Sequence, residues 1–214
     1  MDLRTDEGAL EIAELTLSIL AQDKEVIQLM EAHGYKTEQT KKGKSLLDKA
    51  IASRRQKDAC YDTQWELGQQ VNAQQTAVQA QFREHAKVAR TAYRSEPNIV
   101  HLLRIELLEK NGWDGIRQAA YFYHKLQERK LSLQSFGVSD KNIQQATTDI
   151  TNLMVLKQSR LRQKGKSEDC TQAKNAAFSE LRSWIREVRS TARFAFKKNP
   201  QMLEAFGVVV RAAV

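Results

Sequence analysis

The chain is predicted to be all-α and built as a tandem duplication of one helical unit, on three observations. It has 2 Pro and 9 Gly among 214 residues, too few for the tight turns of sandwiches and barrels. Its bias is toward Ala, Leu, Gln, Glu, Lys and Arg, the good helix formers, and the one β-branched run is Val208-Val209-Val210. Finally, an offset of 103 residues brings features of the two halves into register. Ala89-Arg90-Thr91-Ala92-Tyr93-Arg94 with Pro97 maps onto Ala192-Arg193-Phe194-Ala195-Phe196-Lys197 with Pro200. Across 82–105 against 185–208, six of 24 pairs are identical, about four times a chance level. The same offset aligns Gly34 with Gly137 and Leu47 with Ile150.

Each element can be read in order. In the first copy, 1–111, the apolar positions from Ile12 to Met30 give an entry helix up to Gly34. Gly34 suits a left-handed helix cap, and Gln22-Asp23 marks a break. The second copy, 112–214, has the matching stretch from Trp113 through Ile116, Ala120, Tyr123 and Leu126 to Gly137. A second helix starts at Thr37 and again near Ser139 or Asp140, residues of the N-cap type. Its seam is Leu47, Ile51, Arg54, Asp58, Tyr61 and Trp65 in copy one, and Ile143, Ile150, Leu153, Leu156 and Leu161 in copy two. Steps of four and three are bundle spacing. Arg54 and Asp58 either pair at i,i+4 or mark a stretch open to water.

The polar run Gln163-Lys164-Gly165-Lys166-Ser167-Glu168-Asp169 reads as a turn with Ser167 as the next N-cap. By analogy the turn is placed near Gly68, with one long helix over 37–95 as the alternative. The third helix carries Val71, Val78, Phe82, Ala89 and Tyr93, matched by Phe178, Leu181, Ile185, Val188, Ala192 and Phe196. Pro97 and Pro200 then open short fourth helices. These carry Ile99, Val100, Leu103 and Leu107 in one copy, and Met202, Leu203, Phe206 and Val209 in the other. Lys110-Asn111-Gly112 is too short for a flexible linker, so one compact body is expected. The resulting architecture is a pseudo-twofold, up-and-down four-helix bundle of two long helical hairpins, with entry and exit helices packed on it.

The chemistry is less specific. Cys60 and Cys170 stand far apart without a Cys-x-x-Cys and are expected as two reduced thiols. The N-terminal residues lack the basic and apolar regions of a signal peptide, and no apolar run approaches the roughly 20 residues of a membrane span. A cytoplasmic, non-membrane protein of bacterial or phage origin is expected. No Glu-x-x-His, Gly-x-Ser-x-Gly, His-Glu-x-x-His or zinc spacing occurs. Lys41-Lys42-Gly43-Lys44-Ser45 ends like a phosphate-binding loop, but Glu38 stands where the first glycine is required. No enzyme, metal or cofactor is therefore predicted.

The one repeated polar feature is a stripe of cations. The formal net charge is +8, and Arg83, Lys87, Arg90 and Arg94 stack along one helix face, as do Arg182, Arg186, Arg189, Arg193 and Lys197. Arg54, Arg55, Lys57, Lys157, Arg160 and Arg162 on the second helices extend these ridges. Such surfaces hold nucleic-acid phosphates or an acidic protein through charge. Equally, the arginines can be solvated or pair internally with carboxylates. No exposed aromatic is expected among the cations, because Tyr93 and Phe196 fall on the apolar seam. The expected role is a non-enzymatic interaction or scaffold protein with a basic surface. Nucleic-acid binding through the paired stripes is the alternative, and a homodimer through the fourth helices stays open.

Overall fold

The computed structural model describes residues 2–109 and 112–208. Lys110, Asn111 and Val209, named above in the junction and the last helix, lie outside the described residues. Among the described residues the elements are helical: α1 (Asp6–Gln22), α2 (Lys24–Ala32), α3 (Thr37–Ala92), α4 (Pro97–Leu102), α5 (Gly112–Glu128) and α6 (Asp140–Ala195). A short 3-10 turn, Gln134–Phe136, precedes α6, and a 3-10 helix, Pro200–Phe206, follows it.

Local chemistry sets the starts. Thr5 Oγ1 accepts the Gly8 N–H at 3.1 Å, and the Asp23 carboxylate caps α2 through the Glu25 and Val26 amides. Asp23 thus makes the expected break in the entry helix. At α6, Ser139 and Asn142 cap reciprocally: the Asn142 amide donates to the Ser139 hydroxyl, and its side-chain oxygen accepts the Ser139 N–H at 3.0 Å. Thr37 is the first helical residue of α3, not its cap; there the Gln39 side chain turns back to accept the Lys36 N–H at 2.6 Å.

Two expected turns are absent. The segments at Gly68 and at 163–169 lie inside the 56-residue helices α3 and α6, so the second and third helices of each copy are one continuous helix. The reason is energetic: both prolines lie beyond the ends of these helices, and a lone glycine in a helix interior costs only about 1 kcal/mol. Ser167 caps nothing; it is buried, and its hydroxyl donates to the Cys60 carbonyl at 3.1 Å.

The chain divides into two compact units, and each draws on both halves of the sequence. One comprises Met1–Tyr61 with Lys166–Val214, the other Asp62–Gly165. In the first, α1 and α2 pack on the start of α3 and the end of α6, around Ile12, Val26, Met30, Leu47, Phe178, Trp184, Ile185 and Phe206. The start of α3 runs antiparallel to the end of α6, with Lys49 bonded to Glu180 at 2.7 Å and Tyr61 beside Thr171 at 3.4 Å. In the second, α5 packs on the end of α3 and the start of α6, around Val78, Phe82, Ile116, Phe122, Tyr123, Ile143, Ile150 and Leu153. Phe82, Phe122 and Tyr123 meet edge to face, with centroids 5.0 to 6.5 Å apart.

Parts of the expected seams stay outside these cores. Tyr61, Trp65, Leu107 and Leu161 are exposed, Trp65 at 67% and Leu107 at 82%. Arg54 and Asp58 do not pair with each other: Arg54 reaches Glu7 at 2.8 Å, and Asp58 meets Lys57 at 3.4 Å. The open-to-water alternative describes this stretch. The cysteine expectation is overturned as well, since Cys60 and Cys170 form a disulfide across 110 residues. Sequence spacing does not report that the antiparallel run of α3 and α6 brings them level. Gly43 is a buried helix residue beneath Trp184, not part of a loop.

The helix ends repeat their geometry at the 103-residue offset. Gly34 and Gly137 both adopt left-handed φ, 89° and 88°. The amides that follow reach back in the same way, Tyr35 to the Met30 carbonyl at 3.0 Å and Val138 to that of Leu133 at 3.2 Å. After α4, Arg104 takes φ 52° and Ile105 N–H bonds Val100 O at 3.4 Å; after the 3-10 helix, Gly207 takes φ 68° and Val208 N–H bonds Leu203 O at 3.1 Å. Glycine adopts that conformation without the strain a side chain adds.

Candidate polyanion-binding faces

The two long helices carry the cations singled out from the sequence except Arg94 and Lys197, which lie in the turns just after them, and the structure divides them by what each touches. Arg90, Arg182 and Arg189 are half-buried and serve the fold. The Arg90 Nε donates to the Ile105 carbonyl at 2.5 Å. Arg189 gives one bond each to the carbonyls of Phe206 and Gly207, both at 2.8 Å. Each arginine thus satisfies carbonyls where the chain leaves a short helix, the groups that lack an intrahelical partner. They are not offset-matched: Arg90 corresponds to Arg193, and Arg189 sits one turn earlier. Burial, with the nearby Arg193 charge, lowers the Arg189 pKa.

Arg182 belongs to a separate clamp. It donates to the Leu3 carbonyl at 2.9 Å and the Arg4 carbonyl at 3.3 Å, and it bonds Asp6 at 2.6 Å. Lys174 holds the other Asp6 oxygen at 2.6 Å. Burial pushes the Asp6 pKa up, but the bonds from Lys174 and Arg182 outweigh it and hold the carboxyl below its ordinary value. This ties the start of α1 to α6.

The remaining cations face water. Arg83, Lys87, Arg94, Arg186, Arg193 and Lys197 are exposed. Lys87 pairs with Glu84 at 2.8 Å, and the Arg186 Nε donates to the Arg182 carbonyl at 3.1 Å. Arg83, Arg94, Arg186, Arg193 and Lys197 form no ion pair among the described residues. The expected extensions are mixed. Arg54 is engaged by Glu7, Lys57 lies 5.0 Å from the Tyr61 ring, and Lys157 sits 3.8 Å over the Trp113 ring; Arg55, Arg160 and Arg162 are exposed.

One residue was missed. Phe194 is 69% exposed on α6, beside Arg193 and one turn before Lys197, so an aromatic does stand among the cations. The signal lay in the periodicity: Ala192 and Phe196 are both buried, and a residue two positions from each projects to the opposite face.

The histidines are locally satisfied. His33 Nδ1 lies 2.9 Å from the Leu29 carbonyl, His101 is 3.3 Å from Glu106, and His124 is 3.9 Å from Glu128. His85 Nδ1 lies 2.9 Å from the Tyr123 hydroxyl. Among the described residues no cluster of three or more His, Cys, Asp or Glu is placed to hold a metal ion, and no helix is long and apolar enough to cross a membrane. No protein-family model, no curated protein and no solved structure matches this chain.

Proposed function

We propose that the chain is a non-enzymatic, internally duplicated helical protein that acts as an interaction module, and that its exposed cationic faces take a polyanion. The observation that carries the reading is that Arg83 with Arg186, and Arg94 with Lys197, are offset-matched, exposed and without an ion pair among the described residues. Arginines required for the fold are instead engaged by backbone carbonyls or Asp6. Unpaired, exposed cations along a helix are free to replace the counterions of a phosphate backbone.

The duplication is supported by α3 and α6, which have 56 residues each and begin and end 103 residues apart, and by the repeated hydrogen bonds at Gly34/Gly137 and Arg104/Gly207. In this reading each compact unit takes its entry helix and the start of one long helix from one copy, and the end of the other long helix from its counterpart.

The test is fluorescence anisotropy of short labelled duplex DNA and RNA across a salt series. It compares the protein with the variant Arg83→Glu/Arg94→Glu/Arg193→Glu/Lys197→Glu. All four positions are exposed, so the variant is expected to melt like the parent while losing binding. In the parent, affinity should fall steeply with salt, with a logarithmic slope of about 0.9 per phosphate neutralised. Binding retained by the folded variant removes these faces as the site, and no binding at low salt removes the polyanion.

A further inference from the structure

We propose that the exposed face at the end of α6 takes single-stranded nucleic acid, with Phe194 as the platform on which an unpaired base stacks. The inference rests on the polyanion reading above and narrows its ligand.

Phe194 leaves 69% of its surface in water, although Phe196, two residues on, is buried and stacked on Phe206 with centroids 5.8 Å apart. The same end of the helix exposes Arg186, Ser190 and Arg193, and the turn that follows Ala195 exposes Lys197 and Lys198. Helix residues three and four apart are surface neighbours, about 5–6 Å between Cβ atoms. Phe194 therefore has Ser190 as a neighbour one turn back, follows Arg193 directly, and stands just before the turn that carries Lys197 and Lys198. Arg186 lies two turns earlier, about 12 Å along the axis. There it lines an open cavity of about 370 Å³ with Leu3, Arg4 and Arg182. Arg182 is held by Asp6 and Arg4 by Asp2, which leaves the Arg186 guanidinium as the group for an incoming phosphate. A strand whose base lies on Phe194 has cations for its backbone in both directions.

This combination favours a single strand. A duplex keeps its base faces stacked internally, so only unpaired bases gain from an aromatic platform. A membrane surface fits less well, because interfacial binding needs a continuous apolar face, and here Phe194 has Ser190 and Thr191 one turn before it and Lys197 and Lys198 in the turn after the helix. The face of α3 has Thr91 at the matching position and carries charge without the platform.

The experiment measures anisotropy of the full chain with a labelled oligothymidine of about 16 nucleotides, a length at the upper end of common site sizes, and with a duplex of equal length. The strand is expected to bind about tenfold more tightly than the duplex. Phe194→Ala should lower strand affinity about tenfold, leaving duplex affinity, salt dependence and melting temperature unchanged. Phe194→Trp should restore strand affinity, with quenching on strand addition beyond that of the parent, which has Trp65, Trp113 and Trp184. Phe136→Ala, at another exposed aromatic, should change nothing. Equal affinity for strand and duplex, or unchanged strand affinity in Phe194→Ala, overturns the stacking platform while leaving the polyanion reading standing. Absence of binding to either at low salt overturns both. Phe194-dependent binding to phosphatidylserine vesicles, without oligonucleotide binding, overturns the single strand in favour of a lipid surface.

Discussion

The indole of Trp184 lies directly against the α-carbon of Gly43. A Cβ at that position would overlap the Cζ2 and Cε2 atoms of the ring, and the indole N–H, 3.0 Å from the Gln39 carbonyl, fixes the ring in place. Trp184 is 2% exposed, so the ring has no room to withdraw. Gly43 is a packing glycine in the interior of α3, where its poor helix propensity is offset by the large side chain it admits.

Gly43→Ala is accordingly expected to destabilise the protein, against the usual gain of about 1 kcal/mol from removing a helical glycine. Overpacking costs about 1–3 kcal/mol, so the net loss should reach about 2 kcal/mol. Urea denaturation followed by tryptophan fluorescence checks this. A variant more stable than the parent would show that the ring can move aside.

Arg189 and Arg193 should separate by function although they are one turn apart. Arg189→Ala leaves the Phe206 and Gly207 carbonyls without their donors, at a cost of about 1–3 kcal/mol. Arg193→Ala is expected to change stability by less than about 0.5 kcal/mol. Thermal melts of the two variants decide it, and equal melting temperatures would contradict the division of the stripe into structural and free cations.

His85 should make stability depend on pH. Burial lowers its pKa from the ordinary value, with Glu84 partly offsetting this, and its Nδ1 lies 2.9 Å from the Tyr123 hydroxyl. Because the folded pKa is depressed, the stabilisation is complete above the unfolded pKa of about 6.5 and declines as pH falls through the folded value. Urea midpoints from about pH 7.5 down to about 5 should fall, and His85→Gln should flatten that part of the profile. A slope unaltered by the substitution would assign the dependence elsewhere.

The Cys60–Cys170 disulfide closes a long loop, with a sequence separation of 110 residues. Cross-links of this kind contribute about 2–4 kcal/mol, mainly by restricting the unfolded chain. Reduction, or Cys60→Ser/Cys170→Ser, should lower the urea midpoint correspondingly. Identical midpoints with and without reductant, together with two titratable thiols in the denatured, untreated protein, would show that the bond does not form.

Helical class was determined by the sequence alone, because scarce proline and glycine, and the residues filling the intervals, act locally. The same holds for the Asp23 break, the left-handed Gly34 and the proline-led segments after the long helices. Most of the buried positions were legible too: Leu47, Val78, Phe82, Ile150, Leu153, Phe178, Ile185 and Phe206 follow from the 3.6-residue period.

Only the tertiary structure decided what lies far apart in the chain. Whether Gly68 and the 163–169 segment turn or continue depends on a small difference in helix free energy that local signals do not resolve, and both continue. That continuity brings Cys60 level with Cys170 and Trp184 over Gly43. It also divides the cations, since a guanidinium's role depends on which carbonyl or carboxylate comes within about 3 Å. Arg90, Arg182 and Arg189 found such partners across 15 to 179 residues of sequence; Arg193, on the same periodic stripe, was left facing water beside Phe194. Periodicity assigns a residue to a face of its helix, and only the packing of the other helices determines whether that face is covered.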